Sequence, residues 1–429
     1  MTSLSKIKGS TAILITVAAL GYFVDIYDLV LFNIVKKASL EQILIGHSAE
    51  IIKNTGIFLF NMQMLGMLIG GILWGVWGDK RGRVSVLFGS ILLYSAANIA
   101  NAFVTDVNTY AMLRFLAGIG LAGELGAGVT LVSEAMSKEK RGYGTMIIVT
   151  FGALGAVLAA FVGARGTALG EILLATTGIA FANWQVAYLV GGTLGLMLLA
   201  LRLSIYESGM FQSLQHTGVS RGNFFKLFNN RERFFKYLNC ILIGLPIWYM
   251  IGVLISLSQD VFSIELKVDG VVENGTAIMC AYIGLSVGDL LSGLLSQWFR
   301  SRKKIVLAYL TATVILVLAY LFMPPHSSLT YFYTLCFLLG CATGYWALFV
   351  VIASEQFGTN IRSTVTNTVP NFVRGAVLPI TVLFTYLTPF TGSITSALIV
   401  GMICIGLAFI ATLNSKETFG KDLNYTEIM

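Results

Sequence analysis

Six ionisable side chains lie inside long apolar stretches of the chain: Asp25, Asp28, Arg114, Glu124, Asp289 and Arg374. Charges in such stretches are costly and mark pathways for ions or solutes. A carboxylate there can carry a proton, because pairing holds its charge and protonation breaks the pair. An arginine can bind an anion through two parallel hydrogen bonds. At about 1.5 Å per helical residue, Asp28 and Arg114 fall at compatible depth. That makes Asp28 the preferred proton site and Arg114 its partner, with a static salt bridge as the alternative. Asp25, three residues earlier on a neighbouring face, can share or replace the role. Glu124 sits among Gly118, Gly120, Gly123, Gly126 and Gly128, where helices approach closely. It faces either a cavity or a partner helix. Asp289 and Arg374 pair with each other, or Arg374 binds an anionic solute. Pro370 and Pro379 loosen the backbone around Asn371 and Arg374 toward a cavity.

These residues need elements to hold them. A spanning helix takes about 20 largely apolar residues. Stretches of this kind fall near 11–35, 55–78, 84–104, 108–132, 143–165, 184–204, 237–258, 276–298, 304–323, 330–353, 364–387 and 392–413. The fold class expected is therefore an all-α membrane protein, with twelve transmembrane helices in two six-helix pseudo-repeats. The units are 1–204, a linker at 205–236, and 237–429. The linker's basic residues and phenylalanines suggest an amphipathic piece at the membrane surface.

Composition agrees with this plan. Of 429 residues, 56% are hydrophobic and 11% charged, with 45 Gly and 6 Pro. Soluble domains carry about 25% charged residues, so an ordinary soluble enzyme, a disordered chain and a disulfide scaffold are excluded. With the N-terminus inside, 21 of the 28 Lys and Arg fall in inside loops and five in outside loops. Both termini are then cytoplasmic, and the net charge of +7 needs no nucleic acid. The first apolar run is too long for a cleaved signal peptide. Cys240, Cys280, Cys336, Cys341 and Cys404 lack metal-ligand spacing and read as free core thiols. His47, His216 and His326 fall in loops, so no histidine relay is expected.

The two halves echo each other. Glu134 and Arg141 recur as Glu355 and Arg362, an offset of 221 in both cases. Between the second and third spans the chain reads Gly75-Val-Trp-Gly-Asp79-Lys-Arg-Gly-Arg83. Asp79 can accept from a helix N-terminus or an arginine, forming a clasp that gates one face. A degraded copy runs from Gly293 to Lys303, with Gln297 at the Asp position. The gating set is therefore Gly75, Asp79, Arg83, Glu134, Arg141, Glu355 and Arg362. Trp248, Tyr249, Tyr345 and Trp346 add aromatic pairs, next to the Gly244-Leu-Pro246 kink in the first case.

The 75–83 motif resembles the signature of the major facilitator superfamily. The run Arg114 to Arg141, the Asp25-Ile-Tyr27-Asp28 segment, Glu207-Ser208 and Glu417-Thr418 resemble the metabolite:proton symporters, relatives of the sugar porters. Asp25 departs from that family's usual Glu, and Gln185 from its frequent Arg. The resemblance implies the major facilitator fold, with spans 1, 4, 7 and 10 around the cavity. It makes Tyr27, Trp248, Tyr249, Tyr345 and Trp346 substrate-contact candidates beside Asp289, Asn371 and Arg374. It implies the proton role for Asp28 and Arg114.

The function expected is secondary active transport by alternating access. The leading form is proton-coupled import of a small anionic metabolite such as a carboxylate. A proton-antiport exporter of the same fold and a transport-inactive receptor are the alternatives. No enzyme motif, metal site or cofactor is expected. The partners are the substrate, protons and the lipid bilayer, with no nucleic acid, and the protein is expected as a monomer in the bacterial inner membrane.

Overall fold

The computed structural model describes residues 2–137, 140–202 and 221–427. Among them, twelve helices are long and apolar enough to cross a membrane. The first six are α1 (Thr11–Ile43), α2 (Ala49–Arg81), α3 (Arg83–Asn101), α4 (Val107–Ala135), α5 (Arg141–Gly163) and α6 (Asn183–Leu201). The second six are α7 (Arg231–Ile255), α8 (Asn274–Trp298), α9 (Arg302–Leu321), α10 (Leu329–Gln356), α11 (Arg362–Thr391) and α12 (Ser393–Asn414).

Helix ends follow local chemistry. Ser48, Asp106, Asn230, Ser301 and Ser328 each accept from a backbone N–H of the following turn. The first span runs past the expected residue 35 to Ile43. Lys36 and Lys37 do not end it, and Lys37 lies 4.0 Å from Glu41 one turn on. The seventh span starts at Arg231, inside the expected linker, because Asn230 caps it there. Of that linker, 203–220 lies outside the described residues. In the remainder, Phe224 turns inward against Tyr237 and Phe372, while Phe225 is exposed. Gly82 joins α2 to α3 at φ 104°, a conformation that disfavours any side chain.

Close backbone contacts repeat between the halves. Gly66 and Gly118 bring α2 against α4, where an added Cβ would strike the carbonyls of Phe115 and Gln63. Gly284 and Gly340 do the same for α8 and α10, against Phe337 and Ala281. Two seams join the six-helix groups. In one, α2 meets α11, with Gly75 against Thr364. In the other, α5 meets α8, where Ser286 Oγ donates to the Thr150 carbonyl at 2.7 Å.

Several spans are interrupted. α4 breaks between Leu121 and Glu124, and α10 between Thr343 and Trp346. α7 passes from Pro246 into a π-helical segment, Met250–Ile255. α8 is unbroken although it carries Asp289. That carboxylate points at the break in α10 and accepts from Ala347 N at 2.8 Å, capping the second half of that helix.

Candidate functional site

The motif face is closed by buried charges. Asp79 ends α2 and accepts from Ser363 N at 3.1 Å, Thr364 N at 2.8 Å and Thr364 Oγ1 at 2.6 Å. It thus caps α11 in the other half. Arg83 lies 3.5 Å from Asp79 and donates to Glu134 at 3.0 Å. Glu134 also accepts from Arg362 at 3.1 Å. The second cluster repeats the pattern: Glu355 has Arg302 at 3.5 Å and Arg141 at 3.9 Å. Each glutamate thus holds one arginine from its own half and one from the other. Arg302 stands at the place of Arg83 in the repeat, and the sequence reading missed it. The degraded motif copy at Gly293–Lys303 contained the signal.

The C-terminal segment straps this face. The Leu423 carbonyl accepts from Arg362 at 2.6 Å, and the Lys421 carbonyl from Arg141 at 2.6 Å. Glu417 accepts from Ser301 Oγ at 2.5 Å and from the N–H groups of Arg302 and Phe419. Burial pushes this carboxyl up, but those hydrogen bonds outweigh burial and hold it below its ordinary value.

The centre is built on one ion pair between the halves. Arg374 on α11 lies 3.4 Å from Asp25 on α1, both buried. Its Nη1 donates to Asn371 Oδ1 at 3.3 Å, and its guanidinium sits 5.6 Å from the Trp346 ring centroid. Tyr22, Ile26, Trp248, Tyr282 and Trp346 line the cavity beside it. That cavity is about 20 Å³, room for about one water. Among the described residues, Arg374 Nε, Trp346 Nε1 and Asp25 Oδ1 have no hydrogen-bond partner. Tyr22 and Tyr282 were not foreseen. Tyr22 stands three residues before Asp25 and four before Ile26, so helical spacing held the signal.

Other expected pairings are replaced. Asp28 and Arg114 do not form an ion pair, although Arg114 stacks 4.5 Å above Phe32, one turn from Asp28. Arg114 instead donates to Gln63 and to the Tyr188 hydroxyl. Gln63 is within reach because Gly118 lets α2 and α4 touch. Asp28 is buried against Gly191 and beside Asn98, and among the described residues neither of its oxygens meets a partner at standard hydrogen-bond geometry. Asp289 caps α10 and is not the partner of Arg374. Glu124 faces a partner helix end: Arg202 holds it at 2.5 Å and Ser90 at 2.9 Å. Tyr27, Tyr249 and Tyr345 donate to the carbonyls of Ala187, Ala397 and Ile243, at 2.9, 2.6 and 2.9 Å. All three pack within their bundles and do not line the central cavity. Asn371 ties the halves together by donating to Ala122 O at 2.9 Å.

Away from the motif face the halves part. A vestibule of about 720 Å³ lies between α1, α2 and the α7–α8 connection, and a side pocket of about 410 Å³ lies between α1, α2, α7 and α11. The structure is closed at the motif face, nearly filled at the centre and open at the far face. Two helical bundles clasped at one face, with an ionic site between them, define a membrane transporter. The chain belongs to the Major Facilitator Superfamily, whose family model matches residues 18–375. It is a multi-pass membrane transporter and not an enzyme.

Relatives agree with this class. Over 157 residues the chain is 30% identical to the 3-(3-hydroxy-phenyl)propionate transporter of Escherichia coli (strain K12), covering 36% of this chain and 35% of that one. Over 151 residues it is 29% identical to the niacin transporter NiaP of Acinetobacter baylyi, covering 35% and 32%. Matches to these and similar curated relatives span 32% to 66% of those proteins' own length. The fold is that of the proton:xylose symporter XylE, with a TM-score of 0.75 at 16% identity over 97% of this chain and 98% of that one.

Proposed function

We propose that the chain imports a small carboxylate, aromatic in kind, together with a proton. The carrying observation is the buried Arg374–Asp25 pair, which spans the two halves beside an aromatic cavity lined by Arg374 and Trp346, with Arg374 Nε and Trp346 Nε1 as unused donors among the described residues. An incoming carboxylate competes with Asp25 for Arg374. Once displaced, Asp25 is a buried carboxylate without its counter-charge, and taking a proton is the cheaper state. Binding of the anion and of the proton are thereby linked. The rings of Tyr22, Trp248, Tyr282 and Trp346 suit a flat apolar body attached to that carboxylate. Relatives that move niacin and a hydroxyphenyl propionate support the same substrate class.

In this reading Asp28, one turn from Asp25, is a second carboxylate on the proton route. Arg114 positions α1 through Phe32. The basic motif face is cytoplasmic, and the protein works as a monomer in a bacterial inner membrane. Glu134, Glu355 and their four arginines hold the cytoplasmic face shut while the site faces outward.

The test is uptake of labelled benzoate, nicotinate and a sugar into proteoliposomes with the outside made acidic. Accumulation of an aromatic acid that collapses with a protonophore is the expected result. Efflux of preloaded acid driven by proton entry, with no accumulation, contradicts import and points to an antiporter.

A further inference from the structure

The side pocket between α1, α2, α7 and α11 carries Lys36 as its one charged side chain among the described lining residues. Lys36 makes no ion pair within 4.0 Å among the described residues. Around it stand the amides of Asn33 and Asn61, the Ser256 hydroxyl, and the rings of Phe60 and Phe384. This lining joins a single cation to neutral hydrogen-bonding groups and aromatic rings, and Asp260 and Lys53 act on the charge of Lys36 from outside the pocket. Its volume of about 410 Å³ falls in the range of small-molecule sites.

Its position also matters. Lys36 lines the larger vestibule as well, so the two spaces adjoin there. On α1 the positions 22, 26, 29, 33 and 36 follow one helical face. Tyr22 and Ile26 line the central cavity, while Asn33 and Lys36 line the side pocket. Lys36 is eleven residues beyond Asp25, about 16 Å along the helix. On α7 the central cavity ends at Ile251 and the side pocket begins at Gly252, its chain neighbour. Both residues lie in the π-helical segment Met250–Ile255, a type of irregularity common at functional sites. One widened helical turn separates the two spaces.

We propose that this pocket is a second, outer binding site for the organic anion. The carboxylate sits on Lys36, and its apolar body lies between Phe60 and Phe384. The site loads the substrate before it passes the π-helical turn of α7 to reach Arg374. Its occupant is an aromatic carboxylate, so the inference rests on the substrate class proposed above. The exposure of Val382 and Tyr386 opens the pocket sideways to the surface that meets lipid. A lipid phosphate therefore offers Lys36 the same charge.

The experiment is equilibrium binding of labelled benzoate to the full chain in nanodiscs of phosphatidylcholine, repeated with phosphatidylglycerol. Wild type is expected to bind two benzoates. Arg374→Ala should keep one, at least tenfold weaker than the tighter wild-type site, and Arg374→Ala/Lys36→Gln should keep none. Lys36→Gln alone should raise the KM for uptake about tenfold with kcat unchanged, and Lys36→Arg should restore it. One wild-type site that disappears in Arg374→Ala and is untouched by Lys36→Gln overturns the outer site and leaves the central reading intact. A Lys36-dependent site that takes phosphatidylglycerol and never benzoate also overturns it. Absence of benzoate binding by wild type contradicts both.

Discussion

Replacing Glu134 with Gln removes the charge that two arginines share. Arg83 and Arg362 lie 3.0 and 3.1 Å from Glu134, and all three side chains are fully shielded from solvent. Removing one partner of a buried pair costs about 3–5 kcal/mol. The lower end applies here, because other acceptors remain. Asp79 is 3.5 Å from Arg83, and the carbonyls of Ser354 and Leu423 accept from Arg362. The cost falls on the closed motif face alone, since opening that face hydrates both arginines. A penalty of about 3 kcal/mol shifts the equilibrium between the two conformations roughly a hundredfold toward the one open at the motif face. The assay is pulsed EPR between spin labels at Ser137 and Phe299, at the motif-face ends of opposite halves, in a background without native cysteines. Wild type should give one short distance, and Glu134→Gln should add a long-distance population of comparable or greater weight. An unchanged distance distribution in a folded Glu134→Gln protein refutes the clasp.

Three further outcomes follow from the same geometry. Asp25→Asn should abolish proton-driven accumulation in proteoliposomes while carboxylate exchange between equal pools persists; Asp28→Asn should slow accumulation without abolishing it. Arg374→Ala should weaken benzoate binding at the central site by about a hundredfold, as expected for a lost charge-assisted bidentate contact, and Arg374→Lys by about tenfold, read by titration. Glu417 has a folded value held below its unfolded one. Its contribution is therefore present above the unfolded value of about 4.3 and lost as pH falls from there through the lower folded value. Melting curves from pH 6 to pH 3 should show wild type losing its advantage over Glu417→Gln across that window.

What the sequence reveals here follows the range of the interaction. The Gly75–Arg83 clasp is local, so spacing alone locates Asp79 at a helix end, with Gly82 at the turn. The 221-residue offset finds Glu134 with Arg141 and Glu355 with Arg362, because both copies keep their residue types. Arg302 escapes, because its copy of the motif has Gln297 in place of the acid. The Asp25–Arg374 contact joins residues 349 apart and depends on how α1 is rotated. At 100° per residue, Asp25 and Asp28 point about 60° apart. One therefore meets α11, while the other is buried against Gly191 of α6. Depth is readable from the sequence, and this rotation is not. The tyrosines show the same limit: Tyr27, Tyr249 and Tyr345 lie on cavity-forming helices, yet nearby carbonyls take their hydroxyls.

The most direct measurement of the central claim is proton uptake on substrate binding. Benzoate is added to the purified protein in weakly buffered solution with a pH indicator, alongside a protein-free control. Exchange of Arg374 from Asp25 to the carboxylate predicts about one proton taken up for each benzoate bound at the central site, and none by Asp25→Asn. Benzoate binding by wild type without proton uptake contradicts the account.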